Sequence, residues 1–312
     1  MIFVCIGCGT VGRAWAIVFA RAGHAVRLYD SNPGFARDEA LPAMKASLTD
    51  LDLAEPVADI MVRFTVCEDI ASAVSGADWV QESVREDLPL KQAVIAEIAG
   101  VAPADAIVAS STSALPGSLF LNDIPSPARA MVAHPVNPPS HIPLVELCGT
   151  GLTSDASMER ARATLIALGQ DPITVNKEID GFILNRLQYV MFAEAMHLVG
   201  EGYCSAEDVD KVITSGLALR WASIGPFMTA HLNAAHGFAG FVEQLGPMMK
   251  KMGTDAVTDY DWGPELVQKI HCAMEALVPV GNIPEAQRWR DARILATRAS
   301  QEPVGGISPK LE

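Results

Sequence analysis

The chain has 312 residues, half of them apolar, and carries a formal net charge of -14 at pH 7. Such a length can hold two cored domains, while the acidic balance excludes nucleic acid as a partner, because phosphate neutralisation needs surplus Lys and Arg. There is no charged leader before an apolar segment, no run of membrane length, and no dense cysteine spacing among positions 5, 8, 67, 148, 204 and 272, so we expect a cytoplasmic protein with reduced thiols and no membrane partner.

Ile2 to Ile6 is a short continuous apolar run, the pattern of a strand buried on both faces. Gly7-Cys8-Gly9-Thr10-Val11-Gly12 follows directly, and Val11, Trp15, Val18, Phe19 and Ala22 then recur at helical spacing up to Gly23. Glycines between a strand and a helix make a dinucleotide turn: Gly7 for the tight bend, Gly9 for backbone approach to pyrophosphate, Gly12 for close packing, with Thr10 and Val11 opening the helix. His24 to Asp30 supplies a second strand that ends in an acid eighteen residues past Gly12. Such an acid receives ribose hydroxyls and repels a 2′-phosphate, so the cofactor expected is NAD. Cys5 and Cys8 spell C-x-x-C, but no second ligand pair exists, and we expect no metal site.

Residues 34 to 66 read as two helices, with six acids (Asp38, Glu39, Asp50, Asp52, Glu55, Asp59) against Lys45 and Arg63 from Asp38 to Phe64. A surface holding coenzyme A phosphates should be basic, so this segment disfavours that substrate class. Ala77 to Val84 and Ala106 to Ala109 read as strands flanking a helix from Leu88 to Ile98, which Glu86 and Asp87 introduce. The alternation predicts a Rossmann-like, doubly wound parallel sheet whose ligands gather beyond the strand ends. The segment Glu86 to Lys91 and the run Ser110-Ser111-Thr112-Ser113 lie at such ends, although hydroxyls before a proline also form plain turns.

In Ala130 to Cys148 a buried strand ends at His134, the proline-rich PVNPPSHIP interrupts the ladder, and Leu144 to Leu147 resumes it with Glu146. A carboxylate beside a strand-end histidine orients a general base, though a histidine before a loop is also an ordinary satisfied polar residue. A helix over 155–169 and a strand Pro172 to Val175 complete the first domain, expected at 1–179.

From residue 180 long helical patterns predict a smaller all-α domain over 180–312, opening with Leu184, Leu187, Met191, Ala195 and Leu198 on one apolar face. Asn185 beside that face reads as a ligand for a substrate oxygen or as a plain helix-start polar residue. Arg220 stands alone in LALRWASI, and burial would demand an internal acid or a ligand carboxylate as its partner. His231 is in phase with Phe227, Ala234 and Phe238 and reads more readily as a core histidine than as a substrate ligand. Residues 300–312 read as a frayed tail.

Together GCGTVG, LYD, SSTS, AHPVNPP, LVEL and GFILNRLQ resemble the 3-hydroxyacyl-CoA dehydrogenase superfamily over nearly the whole chain, and AHPVNPPSHIPLVEL, HLN and RWRD resemble its lambda-crystallin (L-gulonate 3-dehydrogenase) branch. The resemblance implies that His134 is the catalytic base and Glu146 its partner, and that Ser113 and Asn185 hold the reacting oxygen. Asp30 would bind the adenosine ribose, Glu86 and Lys91 would line the cleft, and Ser111 would belong to the cofactor set. It also implies a homodimer joined through the helical domain. Arg220-Trp221-Ala222 departs from the Tyr-Pro-like pair of the acyl-CoA branch, which favours a free hydroxy acid held by Arg220, with His231 also toward substrate. The expected activity is NAD-dependent oxidation of the 3-hydroxyl of such an acid. A 3-hydroxyacyl-CoA dehydrogenase, a carnitine dehydrogenase or diketone reductase-like enzyme, and a non-catalytic NAD-binding structural protein are the alternatives.

Overall fold

A computed structural model describes residues 1–51 and 53–301. The expected tail, beyond Ser300 and Gln301, lies outside the described residues. Two compact units emerge, Met1–Arg186 and a second beginning at Leu187.

The first unit is built on strand β1 (Ile2–Ile6), helix α1 (Thr10–Arg21) and β2 (Ala25–Tyr29). Successive strand side chains alternate between faces. Phe3 stacks on Phe19 of α1 with ring centroids 4.3 Å apart, whereas Val4 and Ile6 join a cluster on the opposite face. That division explains why β1 is apolar throughout: both faces are covered.

Residues 34 to 66 depart from the two-helix expectation. Helices α2 (Leu41–Thr49) and α3 (Val57–Met61) form, but Phe64–Val66 is a short strand, β3, at the sheet edge against β2. Its three residues give periodicity too little length to register, and pairing with β2 decides the outcome.

Next come α4 (Ile70–Val74), β4 (Trp79–Glu82), α5 (Leu88–Val101) and β5 (Ile107–Ser110). Asp87 caps α5 by accepting the Leu90 N–H at 2.9 Å, so the expected helix start is a true N-cap. Ile70 and Val74 of α4, with Ile95 and Ile98 of α5, fill the cluster behind Val4, Ile6, Val80 and Val108.

The sheet then departs from purely parallel. β6 (Ala130–Pro135) joins β5 in parallel, but β7 (Leu144–Gly149) runs antiparallel to β6. The eight residues between them, 136–143, are too few for the crossover that a parallel pair requires. Helix α6 (Asp155–Ala167) then leads to β8 (Asp171–Thr174), parallel to β7. The sheet has eight strands in the order β3-β2-β1-β4-β5-β6-β7-β8, with the reversal at β6 against β7.

Helix α7 (Leu184–Gly200) starts in the first unit and continues into the second. There the described regular elements are all helical: α8 (Ala206–Val212), α9 (Ala218–Trp221), α10 (Pro226–Leu232), α11 (Gly237–Asp255), α12 (Pro264–Leu277) and α13 (Ile283–Ala299), besides short irregular turns. The face of α7 that is buried is Ala193, Met196 and Val199; Leu187, expected inward, is 68% exposed, and Met191 is exposed too. Ser300 caps α13, and Gln301 donates to the Ala222 carbonyl at 2.6 Å.

Candidate active site

The glycine turn sits where β1 ends. A Cβ on Gly12 would lie 1.9 Å from the Gly7 carbonyl oxygen, and one on Gly7, at φ +93°, would lie 2.7 Å from the Ser83 carbonyl oxygen. A Cβ on Gly9 would meet nothing within 4 Å. Crowding at two glycines and open space at the third is what a backbone shaped to admit a phosphate requires. Gly9 is the N-cap of α1 and offers no side chain to the helix amides, while Thr10 and Val11 form its first turn. Asp30, just past β2, accepts the Cys8 N–H at 2.9 Å through one oxygen and the Asn32 N–H at 3.0 Å through the other. Each oxygen keeps a lone pair for a ribose hydroxyl. These residues fit a dinucleotide.

Cys5 and Cys8 are both buried. Burial, with help from the Asp30 charge and against that of Arg13, pushes the Cys8 thiol up to about 12. No group of three or more potential metal-ligating side chains occurs among the described residues.

His134 and Glu146 are cross-strand partners on β6 and β7. His134 Nδ1 and Glu146 Oε2 are 2.8 Å apart, with the side chains 5% and 1% exposed. The other carboxylate oxygen, Oε1, accepts the N–H groups of Ile183 and Leu184 at 2.9 and 3.0 Å, where α7 begins. Burial pushes the Glu146 carboxyl up, but the His134 hydrogen bond, both backbone donors and the histidine charge outweigh it and hold the group below the ordinary glutamate value. An ionised Glu146 receives Nδ1–H and leaves Nε2 as the basic nitrogen. Phe182, fully buried at φ +49°, packs its ring 5.5 Å from the imidazole.

Asn185 and Ser113 are also brought together. Asn185 Nδ2 donates to the Ser113 carbonyl oxygen at 2.8 Å, leaving its Oδ1 and second N–H. Glu86 Oε1 anchors the Ser113 segment from the other side, accepting from the Thr112 hydroxyl and from the backbone N–H groups of Ser113 and Ala114 at 3.1 Å each and of Leu115 at 3.4 Å. Burial raises the Glu86 carboxyl, but the Thr112 bond, the Lys91 charge and the backbone donors win and lower it.

Lys91 is buried, with its ammonium 3.0 Å from Glu82, 3.4 Å from the Val84 carbonyl and 3.5 Å from Glu86. Glu82 is itself wholly buried and also receives the Ser110 hydroxyl. Ser111 accepts from Gln81 Nε2 at 2.8 Å and lies 2.9 Å from the Ser83 hydroxyl. The sequence reading missed Gln81, Glu82 and Ser83. The signal was present: Gln-Glu in the middle of an apolar, parallel-type strand is a pair of polar groups that burial compels to find partners.

In the second unit Arg220 on α9 is exposed, not buried, so burial cannot be the reason it needs a partner; no acid lies within ion-pair distance of it among the described residues. Helix α9 spans only four residues and leaves its side chains at the surface. His231 is also exposed rather than core. Its Nδ1 accepts the Phe238 N–H at 3.1 Å, and it lines an apolar concavity of about 320 Å³ with Phe227, Met228 and Phe238.

Residues 3–179 match the NAD-binding domain of 3-hydroxyacyl-CoA dehydrogenase and residues 181–273 match the C-terminal domain of the same enzyme. The chain is 37% identical to the lambda-crystallin homolog of Bos taurus, with 93% of this chain and 92% of that protein covered. It is 38% identical to L-carnitine dehydrogenase of Oceanobacillus iheyensis, with 92% and 93% covered. Among solved structures it is similar to 5-formyl-3-hydroxy-2-methylpyridine 4-carboxylic acid 5-dehydrogenase, an NAD+-dependent dismutase, at TM-score 0.79 and 28% identity over 96% of this chain and 99% of the other. It is also similar to 3-hydroxybutyryl-CoA dehydrogenase from Ralstonia eutropha, at TM-score 0.63 and 27% identity over 79% and 86%. Family and fold thus meet in one glycine turn and one domain pair, and the chain belongs to the 3-hydroxyacyl-CoA dehydrogenase superfamily, close to its lambda-crystallin members, as an NAD-dependent oxidoreductase acting on a CH–OH group.

Proposed function

We propose that the enzyme oxidises the 3-hydroxyl of a free 3-hydroxy carboxylic acid of the L-gulonate kind to the 3-keto acid. The observation that carries the chemistry is the buried His134–Glu146 pair at 2.8 Å. The substrate hydroxyl gives its proton to His134 Nε2, and Glu146 stabilises the imidazolium that results. Ser113 and Asn185 hydrogen-bond the reacting oxygen through the change from alcohol to ketone. Bound NAD supplies the hydride acceptor, and Asp30 with Gly7, Gly9, Thr10, Val11 and Gly12 would hold it, with Glu86, Lys91 and Ser111 shaping the adjoining wall.

Two features favour a free acid over a thioester. The segment from Asp38 to Phe64 is acidic, and Arg220 is an exposed guanidinium with no acid at ion-pair distance among the described residues, suited to a carboxylate. We assign His231 to the substrate as well, through the ring nitrogen that Phe238 leaves unused. Carnitine is itself a free 3-hydroxy acid, and the 38% identity to a carnitine dehydrogenase makes it a second candidate. The exposed Leu187, Val190 and Met191 of α7 support a homodimer joined through the helical unit.

The deciding experiment is NADH formation from L-gulonate, L-3-hydroxybutyrate, L-carnitine and 3-hydroxybutyryl-CoA, with wild type and Arg220→Met compared. Preference for free acids, lost in the variant, is expected. Preference for the thioester, indifferent to Arg220, overturns the assignment.

A further inference from the structure

Trp79, Gln81, Ser111 and Ser83 form a hydrogen-bond chain that the catalytic pair does not use. An indole N–H can only donate, so Trp79 Nε1, 2.9 Å from Gln81 Oε1, fixes which way the Gln81 amide faces. Gln81 Nε2 must then donate onward, 2.8 Å to Ser111 Oγ. Having accepted from Gln81, the Ser111 hydroxyl has Ser83 Oγ, at 2.9 Å, as the one acceptor within reach of its hydrogen among the described residues. In the direction that keeps the Ser111 hydrogen on a protein acceptor, each member donates to the next, and Ser83 is left with a hydrogen that no group among the described residues receives.

Ser83 also lies against the dinucleotide turn. Its carbonyl oxygen is the atom that a Cβ on Gly7 would strike, and its own Cβ is 3.4 Å from where a Cβ on Gly12 would stand. Strand order supplies the direction. β2, β1 and β4 are parallel neighbours in that order, so Asp30, the glycine turn and Ser83 follow one another along the same sheet edge. A dinucleotide with its adenosine ribose at Asp30 and its pyrophosphate at the turn continues over Ser83.

We propose that Ser83 donates a hydrogen bond to the nicotinamide-ribose half of bound NAD, and that Gln81 and Ser111 are positioning residues that keep its hydrogen directed outward. The inference rests on the cofactor site alone and stands whichever hydroxy acid is the substrate.

The test is equilibrium binding of NADH, read by its fluorescence, and of AMP, read by competition, to wild type, Ser83→Ala, Ser111→Ala and the double variant. One neutral hydrogen bond predicts that Ser83→Ala weakens NADH binding about 3- to 10-fold. AMP affinity should stay within twofold, and the double variant should bind NADH no worse than Ser83→Ala. Unchanged NADH affinity in Ser83→Ala overturns the proposal, as does an equal loss for AMP. Independent losses that multiply in the double variant would put Ser111 on the cofactor and overturn the relay. Should the alanine variant fold poorly, Ser83→Cys, close in volume but a weak donor, must show the same loss of NADH affinity; full affinity in that variant refutes the claim.

Discussion

Glu146 holds His134 with one carboxylate oxygen and the start of α7 with the other: Oε2 lies 2.8 Å from His134 Nδ1, and Oε1 accepts the Ile183 and Leu184 N–H groups at 2.9 and 3.0 Å. The base is thus oriented by the same group that anchors the helix entering the second unit. Two substitutions separate the roles. His134→Gln removes the proton acceptor and should lower turnover about 10²- to 10⁴-fold with NADH affinity nearly intact. Glu146→Gln leaves a neutral amide on the imidazole and should lower turnover as well, while also reducing thermal stability through weaker bonds to Ile183 and Leu184. Steady-state kinetics beside thermal melts checks both, and near-normal turnover in His134→Gln would remove it as the base.

The three turn glycines should respond differently to alanine. Gly12→Ala puts a methyl 1.9 Å from a backbone oxygen, so both stability and NADH affinity should fall. Gly9→Ala meets no protein atom within 4 Å, so the melting temperature should hold while the methyl intrudes on the space a phosphate needs. Differential scanning fluorimetry with and without NADH distinguishes the two. Equal destabilisation of both free proteins would contradict the reading of Gly9 as the open position.

Lys91 is buried with Glu82, which is buried too. Lys91→Met leaves that acid without its counter-charge, and the expected destabilisation is about 3–5 kcal/mol in urea unfolding. A Lys91→Met/Glu82→Leu double variant should recover part of it. An effect under about 1 kcal/mol for the single change would show that water reaches the pair.

Glu86 sets a pH dependence. Its folded-state value is depressed, so its stabilising contribution is present above the ordinary glutamate value and is lost as pH falls through the depressed one. The stability gap between wild type and Glu86→Gln should therefore be widest near neutrality and narrow in the acid range. Urea midpoints of both proteins from pH 7 down to pH 3 measure it, and a gap that widens on acidification would reverse the sign assigned to Glu86.

Cys8, buried and with its thiol pushed up to about 12, should resist alkylation at pH 8, whereas exposed Cys272 should react readily. Mass spectrometry after brief iodoacetamide treatment should find label on Cys272 and none on Cys8, with NADH binding unchanged. Early labelling of Cys8 would mean that the turn opens in solution.

Much of this molecule is legible in order along the chain. The glycine turn, the acid after β2, the Asp87 cap and the strand carrying His134 each depend on a few neighbouring residues, and local sterics or helix-end hydrogen bonding suffices to specify them. β3 was hidden because three residues carry no period, and the antiparallel turn of β7 because apolar runs do not state strand direction. Arg220 and His231 were misjudged as buried because helical phase identifies a face without saying what covers it.

By itself the sequence determined most of the longer elements, though not β3, the dinucleotide turn and which histidine and acid lie on successive strands, since those follow from spacing and backbone preference. Tertiary structure alone decided that His134 and Glu146 share one register position, that Asn185 reaches Ser113 across 72 residues, and that Ser111, just past β5, joins Gln81 and Ser83 of the neighbouring β4 end into one chain. The reason is physical: a hydrogen bond is made between groups a few ångströms apart, and that proximity comes from how strands are ordered in the sheet, which no local pattern encodes.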